Sequence, residues 1–403
     1  MINSKEKKTN SFMCNRYIII ELKLLIIING WSGKNIGGGD YHMLNVMKEW
    51  SNFHHISLVI PKFGFLFSRS LLSDKYKIYL SSSGTNAVDR FRLIPTYFKR
   101  IMRAIFIDFR DKPDVVICSS HLLFDTLPGF ILRYRFRAKL VVYVHHIIAK
   151  HSDFRGGMLS RISILGERLS LPLIKSANIL FVVNEQVREE LIGMGFEAHK
   201  ILLSSNGVDY KAIDSVKAIH DTIYDACFCG RLVKRKGIYD LIEIWKLVTL
   251  RYPKSKLVIV GDGPEYKNLS VKLKESNLGE NIQIMGFVSE HEKYLIMKES
   301  KVFIFPSYEE GWGIAVAEAI ACGLDVVLYD IGAYKVFETH IIMVEKGNTR
   351  KMAKIVTELL GKQISNNNHG RMSGRIGTVL DWQDVANREV QAIIGLVNAS
   401  KKM

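Results

Sequence analysis

A chain of 403 residues, 48% hydrophobic and 24% charged, has the composition of a globular protein and exceeds the length that one hydrophobic core usually serves. Its formal charge of +16 lies mostly in the first half, where residues 1–205 hold 29 Lys/Arg against 16 Asp/Glu, while residues 206–403 hold 27 against 24. The longest early apolar run, Tyr17–Asn29, is broken by Glu21 and Lys23 and falls short of the roughly 20 apolar residues a bilayer span needs.

Residues 1–16 are polar and Lys-rich, with no clean apolar segment and cleavage site behind them, so they read as a loose tail (1–22) and not as a secretory leader. Five scattered cysteines suit reduced thiols in the cytosol. From residue 23, apolar β-branched runs alternate with amphipathic stretches, predicting strands at Lys23–Asn29, Ile56–Ile60, Asp114–Cys118, Lys139–Val144, Asn178–Val183 and Lys200–Ser204. Buried strands joined by helices imply a parallel, doubly wound α/β sheet over 23–205. Asn206-Gly207-Val208-Asp209 reads as a turn opening a linker. A second series then follows in 206–380, with strands at Tyr224–Cys229, Lys256–Val260, Asn281–Met285, Lys301–Phe305, Asp325–Tyr329 and His340–Val344. Trp382–Val397, within 381–403, reads as an amphipathic helix able to pack back on the first lobe. Two Rossmann-like lobes therefore face a cleft at the carboxyl ends of their strands, where ligands of such sheets bind.

Three loops of the second lobe carry chemistry. Gly230-Arg231-Leu232-Val233-Lys234-Arg235-Lys236-Gly237 joins a strand to a helix, with Arg231 and Lys236 placed to meet an anion such as a diphosphate. Val260-Gly261-Asp262-Gly263-Pro264 is a weaker glycine turn. The dense run is Pro306–Val327: Glu309 and Glu310 on a glycine loop, then a small-residue helix whose first N–H groups, at Gly313, Ile314 and Ala315, can meet phosphate oxygens. Glu318 lies inside that helix among apolar residues, so its carboxylate needs donors, either sugar hydroxyls or a structural ion pair. Glu309 is expected at the solvent. Cys227-x-Cys229 is expected as buried strand thiols and not as a metal pair.

Glu310-x7-Glu318 within "PSYEEGWGIAVAEAIACGLDVV" resembles the signature of the family 4 retaining glycosyltransferases of GT-B fold. With "GRLVKRKG", "GDGP", "NGVD", "GFV" at Gly286–Val288 and the glycine loop Gly37-Gly38-Gly39 in the same order, the likeness spans residues 23–398. The resemblance implies that Glu310 contacts the transferred sugar, that Glu318 holds the ribose, and that Arg231 and Lys236 neutralise the departing diphosphate. It further implies that Gly38, Gly39 and Gly230 approach the donor and that the backbone at Phe287 and Val288 meets the base. His145 matches the histidine that faces the donor sugar, and His146 stands where an Asp is common, so which imidazole enters the cleft stays open. Departures at Asp325 and Gly332-Ala333-Tyr334 leave the sugar unnamed.

The implied activity is transfer of a hexose from a UDP- or GDP-sugar to a glycan or lipid-linked acceptor, with retention and without metal or other cofactor; no Asp-x-Asp occurs in the chain. The alternative is a nucleotide-sugar-binding protein without transferase activity. The basic first half favours an anionic partner. Pro61–Leu72 and Phe130–Lys139 interleave aromatic and basic residues like an interfacial surface, so the expected location is cytoplasmic, with attachment at the cytoplasmic membrane face left open. No nucleic-acid reading module is visible.

Overall fold

The computed structural model describes residues 13–14, 17–18, 20–31, 37–69, 72, 74–84, 92–148, 158–219, 222–362 and 379–399; most of the expected tail lies outside them. Seven parallel strands form the first sheet, in the spatial order Lys77–Ser82, His55–Pro61, Lys23–Ile27, Val115–Cys118, Lys139–Val144, Ile179–Val182 and Ile201–Leu203. Alternate residues along each strand enter opposite cores. Leu24, Ile26, Val141 and Tyr143 face one, while Leu25, Ile27, Val142 and Val144 face the other, as period-two geometry requires of a sheet covered on both sides. Lys77–Ser82 is absent from the sequence reading because this edge strand is half exposed and shows no apolar run.

The second sheet is also wholly parallel, ordered Ile282–Gly286, Leu257–Val260, Tyr224–Cys229, Ser300–Phe305, Asp325–Tyr329 and Ile341–Val344. The chain reverses its direction of travel between Tyr224–Cys229 and Ser300–Phe305, and in the first sheet between Lys23–Ile27 and Val115–Cys118. Each reversal opens a crevice at the strands' carboxyl ends. Cys227 and Cys229 are both buried in the second core.

The two crossings between the lobes lie side by side. Asn206–Asp209 is not the expected turn: Gly207–Val208 pairs in parallel with Leu380–Asp381, and Asp209 accepts the Ala212 N–H at 2.8 Å to cap the helix Tyr210–Ser215. The helix Trp382–Ala399 lays Val385, Ala386, Val390, Ile393, Ile394 and Val397 into the first lobe's core, and Trp50 donates its indole N–H to the Ala386 carbonyl at 2.9 Å. Each fully buried side chain of valine or isoleucine size contributes about 1.5–3 kcal/mol.

The two segments expected as an interfacial surface are partly engaged within the fold, with Leu66 and Tyr134 left 45% and 61% exposed. Phe63 is buried, Arg133 donates to the Ser176 carbonyl, and Arg135 donates to the Ile105 carbonyl at 3.0 Å. Apolar exposure also collects on the helix Leu93–Phe106, where Ile94, Phe98 and Phe106 are 60%, 61% and 77% exposed beside Lys99 and Arg103. Among the described residues no helix is long and apolar enough to cross a membrane.

Candidate functional site

The loops that follow the two strands flanking the second sheet's reversal point are Gly230–Gly237 and Pro306–Gly313, the two richest stretches of the sequence. The first is tied through the backbone both to the Val260–Pro264 turn and to the second. Gly230 N–H donates to the Val260 carbonyl at 3.0 Å, Leu232 N–H to Asp262 at 3.0 Å, and Tyr308 N–H to Arg235 at 2.8 Å. Gly237 takes φ +65, and a Cβ there would stand 1.9 Å from the Pro306 carbonyl oxygen, so only glycine lets the loops touch.

This contact brings Lys236 onto Glu310. The ammonium donates to Glu310 Oε1 and lies 5.2 Å from the centre of the Phe305 ring, and Ser307 Oγ donates to the same carboxylate oxygen at 2.8 Å. Both side chains are largely buried, at 14% and 10% exposure. Burial pulls the Lys236 pKa below the ordinary lysine value, with Glu310 opposing that fall. Glu309, expected at the solvent, is buried instead; its carbonyl oxygen lies 3.1 Å from Ser307 Oγ, whose single proton serves it and Glu310 one at a time. Arg231 reaches toward the open side of the loop, where partial burial and the neighbouring Arg235 lower its pKa.

Gly313, at φ +97, precedes the helix Ile314–Ala321, whose first turn no side chain caps. The N–H groups at Ile314 and Ala315 thus stand at the positive end of a helix beside Glu310. Glu318, in the same helix, is buried, and Lys293 donates to its Oε1 at 2.8 Å. Phe287 and Val288 follow Gly286 at the end of the Ile282–Gly286 strand; Phe287 is 79% exposed and Val288 half-buried.

On the facing lobe, Gly38 and Gly39 open the helix Gly38–Trp50. The space before Gly38 is open, whereas a Cβ on Gly39 would meet His145 Nε2 at 2.5 Å, so that glycine lets the imidazole lie against the helix start. His145 Nε2 is 3.0 Å from the Ser119 carbonyl, which can only accept, so the proton sits on Nε2 and the Nδ1 lone pair is the free one. Burial and the neighbouring His42 push the His145 pKa down to about 3, keeping the ring neutral. His146 faces away toward His121, with ring centres 6.4 Å apart.

Across the cleft Tyr41 donates to Glu290 at 3.2 Å, the Asn184 amide donates to the Gly311 carbonyl, and a Cβ on Gly311 would stand 2.9 Å from the His145 carbonyl oxygen. The His145 backbone of the first lobe therefore approaches the Gly311 loop that also carries Glu310 and Gly313 in the second, while Phe287 and Val288 follow a different strand. Asn184 and Lys293 carry no motif in the sequence, and Ser307 lies within the run Pro306–Val327 without being singled out there. Asn184 has a local signal, since it caps the helix Glu185–Gly193 by accepting the Val187 N–H at 2.8 Å; its reach across the cleft has none. A separate cavity of about 230 Å³ lies at the amino ends of the first sheet, lined by Lys23, His55, Lys75, Lys77 and Asp111. It is remote from this chemistry, and Lys77 already pairs with Asp111 there.

Comparison with known proteins fits this arrangement. The family described as glycosyl transferases group 1 matches residues 209–373, and glycosyltransferase family 4 matches residues 36–212. A phosphatidylinositol N-acetylglucosaminyltransferase polypeptide of Arabidopsis thaliana is 23% identical over 280 residues, 69% of this chain and 61% of that protein, so the match spans less than two thirds of the relative. The alpha-monoglucosyldiacylglycerol synthase of Acholeplasma laidlawii is 24% identical over 60% of this chain and 64% of its own. The Anabaena protein HepE in complex with UDP-glucose superposes with a TM-score of 0.72 at 16% identity, covering 93% of this chain and all of the other, a likeness of fold.

Proposed function

The chain belongs to the family 4 glycosyltransferases of GT-B fold, and from that premise we propose that it moves a hexose from a UDP- or GDP-sugar to a glycan or lipid-linked acceptor, with retention and without a metal ion. The observation that carries the reading is the buried Lys236–Glu310 pair set beside the uncapped helix start at Gly313. A cation, a carboxylate and unengaged N–H groups at one point suit a bond that breaks into a cationic sugar and an anionic diphosphate.

In this reading the base rests at Phe287 and Val288, the ribose reaches Glu318, and the diphosphate lies over Gly230 and Arg231 against the N–H groups of Gly313, Ile314 and Ala315. Gly38 and Gly39 close the phosphate side from the first lobe. The anomeric carbon–oxygen bond breaks with its electron pair passing to the diphosphate, which Arg231, Lys236 and the helix N–H groups stabilise. The acceptor hydroxyl attacks from the same face, and its proton passes to the departing phosphate oxygen. Glu310 receives hydroxyls of the transferred sugar, and neutral His145 offers its Nδ1 lone pair to another.

The acceptor side belongs to the basic lobe. The stripe Ile94, Phe98 and Phe106, flanked by Lys99 and Arg103, supports attachment to an anionic membrane surface, which suits a cytoplasmic enzyme with a lipid-linked acceptor. A screen of UDP-, GDP- and ADP-sugars for nucleotide release tests the donor half. One donor is turned over, and Glu310→Gln lowers kcat by about 100-fold or more with folding intact. Binding of a nucleotide sugar without release in any acceptor extract would instead favour a binding protein.

A further inference from the structure

Glu318 is held from one side. Among the described residues, its polar contacts both reach Oε1: Lys293 Nζ donates at 2.8 Å, and Tyr294 Oη lies 3.2 Å away. Oε2 is left for a ligand. Lys293 also donates to Glu290 Oε1 at 3.1 Å, so one ammonium serves two carboxylates. Tyr294 Oη is 3.1 Å from Glu290 Oε2 as well, and its single proton serves one carboxylate at a time. The first lobe enters through Tyr41, which donates to Glu290 Oε2 at 3.2 Å. Burial raises the Glu318 pKa and Lys293 opposes that rise; without the ammonium, the nearby Glu290 carboxylate would add to it and favour a neutral acid at Glu318. A neutral carboxylic acid is the poorer acceptor for a pair of hydroxyls.

We propose that Lys293 is a positioning and specificity-determining residue of the donor site: it fixes Glu318 as an ionised acceptor for the vicinal hydroxyls of the donor's ribose and ties that recognition, through Glu290 and Tyr41, to the approach of the lobes. The inference rests on the donor reading above. Glu318 belongs to the motif, whereas Lys293 and Tyr41 come from a different helix and a different lobe and are joined to it only in three dimensions.

The test is a set of dissociation constants, by calorimetry, for UDP and GDP and for their 2′,3′-dideoxy counterparts. Wild type favours the better ribonucleotide over its dideoxy form by about tenfold or more, the worth of a hydrogen bond to a charged group. Lys293→Met narrows that ratio to within about threefold, Lys293→Arg restores it, and Lys293→Gln carries the test should the methionine variant fail to fold. With donor sugar, Lys293→Met raises KM while kcat stays within a few-fold, a split that a merely structural lesion would not give. Wild-type discrimination in Lys293→Met, or equal loss of affinity for both nucleotide forms, overturns the proposal. Failure of the donor reading looks different: wild type binds neither nucleotide, or Glu318→Gln leaves the discrimination intact.

Discussion

His145 illustrates how one side chain joins site and stability. It is wedged against Gly39, donates to Ser119, and is kept neutral with a pKa of about 3. In the unfolded chain a histidine takes up its proton near pH 6.5. The folded form therefore keeps this contribution above that pH and loses about 1.4 kcal/mol per pH unit as pH falls from about 6.5 toward 3. Urea midpoints at pH 7 and pH 4.5 should fall less with acid in His145→Asn than in wild type; an unchanged difference would contradict the assignment. At this scale the sequence tells part of the story. Glu310, Glu318, Arg231 and Lys236 announce themselves by spacing between a strand and a helix. Lys293 and Asn184 do not, because their partners lie 25 and 127 residues away and no local pattern encodes that contact.

The helix Leu93–Phe106 makes the element-scale case. Ile101, Ala104 and Ile105 are buried against the first lobe, while Ile94 and Phe98 sit four residues apart on the exposed side, with Phe106 at the end. A sequence carrying two apolar stripes does not say which one the fold will cover. The interleaved aromatics of Phe130–Lys139 advertised an interface, yet Arg133 and Arg135 donate to backbone carbonyls within the lobe. Exposed apolar and cationic groups on one helix predict salt-sensitive attachment to anionic vesicles. Full-length protein should co-sediment with vesicles containing anionic phospholipid and release in about 0.5 M salt. Replacing Phe98 and Phe106 together with Ser should weaken the binding about tenfold or more. Undiminished sedimentation of the double variant would place attachment elsewhere.

The whole molecule is held at its crossing by a buried hub. His42 Nε2 donates to Glu389 at 2.8 Å and its Nδ1 lies 2.9 Å from Asn206 Oδ1; Tyr143 donates to Glu389 at 2.7 Å, and Ser204 donates to it as well. These groups come from the first helix and the central sheet of one lobe, the crossing chain and the C-terminal helix. Burial opposes a charge on His42, but Glu389 outweighs it and raises the pKa above the ordinary value. The stabilisation is therefore complete below about pH 6.5 and is lost as pH rises through the raised value. Glu389→Ala should cost about 3–5 kcal/mol at pH 6 and less at pH 9, read from urea unfolding; equal losses would contradict a charged hub. That there are two parallel-sheet lobes was legible from the restarting strand–helix alternation. The pairing of Gly207–Val208 with Leu380–Asp381 was not, since two-residue strands so far apart in the chain leave no periodicity. The central claim is that a nucleotide diphosphate binds where the Gly230 and Pro306 loops meet, and amide hydrogen exchange with and without UDP or GDP tests it most directly. Exchange should slow at Arg231–Gly237, Phe287–Val288 and Ile314–Ala317. Protection confined to the cavity of Lys23, Lys75 and Lys77, or absent at saturating nucleotide, would contradict it.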